Sequence, residues 1–106
     1  MNSDATITAS SLYDRALGAY LGFACGDALG ATLEFMTPEQ IQASFGVHKD
    51  ITGGGWLRLP KGHVTDATEM TLTLGQAIID AQGWDIKTTA DYFVVWLSKH
   101  PTDISE

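Results

Sequence analysis

Cysteine is all but absent from this chain: Cys25 stands alone, which excludes an internal disulfide and any thiolate metal cage. A lone thiol fits a reducing, cytoplasmic compartment. Basic residues are also scarce, with six Lys and Arg against thirteen Asp and Glu for a formal net charge of -7. Such a surface repels a phosphate backbone, which argues against nucleic acid or an anionic membrane surface as a direct partner, and an anionic ligand needs a cation to mediate. Long uncharged apolar runs are missing too. The most apolar stretch, residues 17–35, carries Asp27 and Glu34, which argues against a transmembrane segment. The N-terminus is polar and acidic rather than basic, unlike a secretory signal. With 44% hydrophobic and 18% charged residues, a globular protein is expected, and 106 residues allow one domain at most.

What the sequence does contain is helical punctuation. Residues 1–10 are small and polar and read as a disordered N-terminus. Ser11 and Asp14 have capping-box spacing, and a proline-free run predicts a helix over 12–32. Within it Gly18, Gly22, Gly26 and Gly30 recur every fourth residue along one stripe, which predicts close approach of a neighbouring helix. Thr37, Pro38 and Gln40 open a short helix that Gly46 closes. Residues 46–64 form a long loop containing Gly53, Gly54 and Gly55. Asp66 and Glu69 have N-cap to third-position spacing ahead of a helix over 67–81 that Gly83 ends. A last helix over 86–99 is expected to pack Ala90, Phe93, Val94 and Leu97 inward before Pro101 stops it. The chain reads as all-α, about four helices with a long glycine-rich loop.

Three groups can carry chemistry. Asp27 and Glu34 lie seven residues apart, so on a continuous helix they share a face and aim two carboxylates at one site; each is equally readable as a solvent-facing or capping residue. Thr65 and Asp66 sit where the loop meets a helix, and a hydroxyl beside a carboxylate suits a hard cation, although both are ordinary N-caps as well. The backbone amides of Gly53, Gly54 and Gly55 could approach a phosphate, though a flexible turn is the preferred reading because the context of a Rossmann or P-loop motif is missing. His48, His63 and His100 have no ligand spacing, and Trp56, Trp84 and Trp96 read as packing residues.

The segments ALGAYLGFACGDALGATLEF, FGVHKDITGGGWLRLPKGHVTDATEMTLTLGQAI and FVVWLSKHPTDIS, taken together and in order, resemble the ADP-ribosylglycohydrolase family. The GVHKDITGGGWLRLP loop looks most like the subgroup acting on ADP-ribosylated dinitrogenase reductase. The resemblance implies an all-α domain that carries two divalent cations, Mg²⁺ or Mn²⁺, and removes ADP-ribose from arginine side chains. It implies metal ligation by Thr65 and Asp66, catalytic roles for Glu34 and Asp103, and a supporting role for Asp27; Gly53, Gly54 and Gly55 stand beside these as substrate-binding candidates through their backbone amides alone. Two features depart from the family pattern. Ala67 stands where the family has a second metal-binding aspartate, and a C-terminal Asp-x-Asp-Thr or Ser motif is not in the chain. Residues 11–106 are therefore expected to be an incomplete domain with impaired or absent hydrolysis, or alternatively a non-catalytic module binding ADP-ribose or a protein.

Overall fold

The computed structural model describes residues 4–99 and 101, with side chains described from residue 11 onward. Its elements in order are α1 (Asp4–Ala31), α2 (Pro38–Ser44), α3 (Asp66–Ala81) and α4 (Ile86–Ser98), and among the described residues there is no strand beyond one isolated bridge. The all-α expectation holds. Helix α1 starts at Asp4 rather than near residue 12, because nothing between them breaks a helix; Ser11 lies inside it, its carbonyl accepting from Arg15 Nε, and is no cap. Residues 1–3 lie outside the described set.

The other boundaries follow from caps. Thr37 and Gln40 form a reciprocal capping box with Pro38 at the first position of α2, and Gly46, at φ +67, closes that helix by donating to Ile41 and Gln42 carbonyls. Thr65, not Asp66, caps α3: its Oγ accepts from Ala67 N, which puts Asp66 in the first turn. Gln82 ends α3 in the left-handed conformation, followed by Gly83 donating to Ile78 O. Asp85 caps α4 through Thr88 N.

Helices α3 and α4 form a helical hairpin across residues 82–85, and α1 meets the N-terminal half of α3. The face that α4 turns toward α3 is not the one its apolar spacing predicts. Thr89 is buried and Tyr92 and Trp96 are half-buried, with Tyr92 Oη donating to Asp80, whereas Ala90, Val94 and Leu97 are exposed. Only the half-burial of Phe93 agrees with the expected set. Trp84 is likewise exposed.

The glycine stripe gives a second correction. An added Cβ at Gly18, Gly22, Gly26 or Gly30 meets no atom within 4 Å, so no neighbouring helix approaches that face within the described residues. The close approach occurs instead at Gly75 of α3, whose Cβ position lies 2.7 Å from the Tyr20 hydroxyl of α1. The radius of gyration is 17.5 Å and the extents are 51 × 44 × 20 Å, against about 13 Å for a compact domain of this length. Ala28, Ala31, Leu59 and Ala77 are the buried apolar residues, while Leu12, Leu17, Leu21 and Phe23 of α1 are exposed. The fold is thus a flat slab with broad apolar faces, held largely by polar fixings.

Candidate active site

The strongest of those fixings is Asp27. Its side chain projects from the last turns of α1 onto the N-terminus of α3, where Oδ2 accepts from Thr65 N (2.8 Å), Thr68 N (3.3 Å) and Thr68 Oγ1 (2.6 Å). Oδ1 accepts from Thr65 Oγ1 at 2.7 Å. The first-turn amides of a helix have no intrahelical partner and attract an anion, so a carboxylate from another helix is a natural acceptor. Burial alone pushes the Asp27 carboxyl upward, but the bonds from Thr68 and Thr65 outweigh it and hold the group below the ordinary carboxylate value of 3.8. Thr68 was invisible to motif reasoning, yet its spacing of three from Thr65 puts both hydroxyls on one side of the first turn of α3.

The clamp sets the chemistry of Thr65. Because the Thr65 hydroxyl hydrogen is committed to Asp27, the oxygen presents only lone pairs elsewhere, one of them facing Ala67 N at 3.3 Å. Next to it Asp66 is 1% exposed, and neither carboxylate oxygen has a hydrogen-bond partner among the described residues. A buried, unpaired carboxylate costs several kcal/mol, and such groups elsewhere are paired with a cation or coordinate a metal.

Glu34 does not lie on α1. The helix stops at Ala31 and the chain passes into a turn closed by Leu33 N donating to Gly30 O and Met36 N donating to Leu33 O, with Phe35 at φ +65. The shared helical face inferred from the seven-residue spacing therefore does not exist. The turn nevertheless returns Glu34 to the same place: Asp27, Gly30, Ala31, Leu33, Glu34, Thr65 and Ala67 line one open cleft of about 280 Å³. Glu34 Oε2 accepts from Trp56 Nε1 at 2.8 Å while the Trp56 ring packs edge-on against Phe35, so Trp56 packs as expected and also makes a polar contact to a cleft carboxylate.

Gly53, Gly54 and Gly55 do not line this cleft. All three have positive φ, at +70, +79 and +73. A Cβ on Gly53 would stand 2.5 Å from Leu59 O, and one on Gly55 would stand 2.7 Å from Ala31 O, so both approach backbone that any side chain would displace. Gly54 exchanges two backbone bonds with Leu59, at 2.7 and 3.1 Å. These are the marks of a loop packed on the end of α1. His48 adds a further fixing through Nε2 donating to Leu29 O at 2.9 Å. Asp103 lies outside the described residues. Among the described residues, no three His, Cys, Asp or Glu side chains converge as a metal-ligating group.

The structure is thus an all-α scaffold in which one polar cleft gathers Asp27, Glu34 and Thr65, the Thr65 hydroxyl donating to Asp27. The ADP-ribosylglycohydrolase family pattern matches residues 8–105, and the chain belongs to that family. It is 49% identical over 98 residues to the ADP-ribosyl-[dinitrogen reductase] glycohydrolase of Rhodospirillum rubrum, covering 92% of this chain and 33% of that protein. It is 40% identical over 91 residues to an ADP-ribosylarginine hydrolase of Pseudomonas putida (strain GB-1), covering 86% of this chain and 23% of that protein. A putative ADP-ribosyl glycohydrolase of Acanthamoeba polyphaga mimivirus is 31% identical over 94 residues, covering 85% of this chain and 28% of its own length. The chain thus spans a third or less of the length of these relatives. No described helix is long and apolar enough to cross a membrane.

Proposed function

We propose that the cleft between α1 and α3 belongs to a divalent-cation-dependent site that hydrolyses the N-glycosidic bond between ADP-ribose and an arginine side chain. The observation that carries this reading is Asp66, a carboxylate 1% exposed with both oxygens unpartnered beside a threonine whose hydrogen is already engaged. That donor chemistry fits a hard cation such as Mg²⁺ or Mn²⁺. The Thr65 hydroxyl oxygen, which lines the cleft, and the Asp66 carboxylate, which is buried behind it and is not itself among the cleft-lining residues, would hold it. When bound, such an ion polarises a water or a ribose hydroxyl and offsets the repulsion between an anionic substrate and a chain of net charge -7.

The chain's own residues divide the remaining work. Asp27, saturated by four hydrogen bonds, orients Thr65 and is not itself a ligand. Glu34 has one oxygen restrained by Trp56, which leaves the other to take a proton from water or to face the positive charge that develops at the anomeric carbon. Asp103 acts near the ribose or the departing guanidinium. The relatives' names support ADP-ribosylated arginine as the substrate class and dinitrogenase reductase as the modified protein, and a cytoplasmic setting belongs to the same reading.

Ala67 lines the same cleft and brings no oxygen to it. We therefore expect weak turnover by this chain and a gain from a carboxylate at that position. The test is release of ADP-ribose from ADP-ribosylated dinitrogenase reductase with Mg²⁺, by the chain and by Ala67→Asp. At least about tenfold faster release by Ala67→Asp is expected, the scale of one lost charge-assisted contact. Equal rates, or release indifferent to a chelator, would sink the reading. Because an apolar side chain at the cleft wall also suits binding without turnover, calorimetric titration with ADP-ribose accompanies the assay. Saturable binding with no release in either form identifies a binding module instead.

A further inference from the structure

We propose that Trp56 is a positioning residue for Glu34, and that the glycine-rich loop takes its conformation in order to deliver the Trp56 indole N–H to that carboxylate. The inference rests on the reading of Glu34 as an acting group of the cleft. Trp56 is 48% exposed, so burial of its ring does not explain its place. Its polar edge does: Nε1 donates to Glu34 Oε2 at 2.8 Å while its ring meets Phe35 edge-on, with centroids 5.3 Å apart at 64°. Phe35 takes a left-handed φ of +65, a conformation that bulky residues avoid unless surrounding contacts impose it. The turn at Phe35 and the tryptophan thus brace Glu34 from two sides.

The loop is fastened so that this contact has little freedom. Thr32 Oγ1 donates to Gly53 O at 2.7 Å, Gly54 and Leu59 exchange backbone bonds, and Gly55 sits on the backbone of Ala31 and Thr32 with no space for a Cβ. Gly55 immediately precedes Trp56, and Thr32 lies two residues before Glu34, so both ends of the contact are anchored to the same turn of backbone. An indole N–H is a neutral donor. It restrains one carboxylate oxygen without neutralising the charge, which a lysine or arginine in its place would do, and so leaves the full anion to face a developing cation.

The experiment uses the whole chain with three variants. Trp56→Phe keeps an aromatic ring against Phe35 but removes the donor, Trp56→His restores a ring N–H, and Glu34→Gln neutralises the acceptor. With Mg²⁺ and an ADP-ribosylated arginine substrate, Trp56→Phe should lower kcat at least about tenfold with KM within about twofold, and Trp56→His should recover part of the loss. Equal impairment in Phe and His variants, or an unchanged kcat in Trp56→Phe, overturns the proposal. In ¹⁵N-labelled protein the indole N–H resonance of Trp56, identified by its loss in Trp56→Phe, should move in Glu34→Gln. If neither the unmodified chain nor Ala67→Asp releases ADP-ribose, the hydrolase reading fails on its own. The resonance then decides the positioning role: movement supports it, and an unmoved signal refutes it.

Discussion

Replacing Asp27 with alanine removes the acceptor for both free first-turn amides at Thr65 and Thr68 and for two hydroxyls on residues that are each 5% exposed. Hydrogen bonds to a charged group contribute about 1.5–3 kcal/mol each when broken, but Asp27 is only half-buried and water can re-solvate part of what is lost. Discounting for that, the substitution should cost about 3 kcal/mol. A whole domain is stable by only about 5–15 kcal/mol, and the few buried apolar residues place this chain near the bottom of that range. With an m-value of about 1.5 kcal/mol/M, the urea midpoint followed by far-ultraviolet circular dichroism should fall by about 2 M. Asp27→Asn is the informative control. It keeps one acceptor oxygen for the backbone N–H groups of Thr65 and Thr68, which both meet Oδ2, but sets an amide N–H against Thr65 Oγ1 and removes the charge, so it should recover only part of the loss. A midpoint for Asp27→Ala within about 0.3 M of the unmodified chain would show that the α1 to α3 contact does not depend on this carboxylate.

Two further outcomes follow from the same geometry. Because the folded-state Asp27 value lies below the ordinary 3.8, its contribution is complete above that value and is lost as pH falls through the lowered one; acid unfolding of Asp27→Asn should therefore have a shallower limb below about pH 4 than the unmodified chain. The glycines should divide into two kinds: Gly22→Ala and Gly26→Ala should each stabilise α1 by roughly 0.5–1 kcal/mol, since no atom crowds the new Cβ. Gly53→Ala and Gly55→Ala should each destabilise by about 2 kcal/mol or more from steric overlap and positive φ, as read by thermal melts.

Much of the scaffold was legible because its signals are local. Thr37, Pro38, Gln40 and Gly46 bracket α2, and the starts of α3 and α4 lie within a residue of their expected positions. What local signals could not show is which faces find partners. The apolar side of α4 with Ala90, Val94 and Leu97, and the glycine side of α1, both follow from good periodicity, and both face outward. The site was legible in part for a similar reason. Asp27, Glu34 and Thr65 do share a cleft, but through a turn at residues 32–35 that breaks the helical spacing argument. Thr68 and Trp56 join the site only through contacts that reach 41 and 22 residues along the chain, for which a short motif carries no signal.

Under the proposed function, the Asp66 carboxylate is buried without a partner among the described residues because a divalent cation completes it. Calorimetric titration of the chain and of Asp66→Asn with Mg²⁺ or Mn²⁺, paired with thermal melts with and without the ion, tests this most directly. The unmodified chain should show one saturable site and a melting temperature that rises with the ion, while Asp66→Asn should show neither and should be the more stable protein in ion-free buffer, by about 1–3 kcal/mol. Equal binding by both proteins, or a less stable Asp66→Asn when no ion is present, would contradict the account.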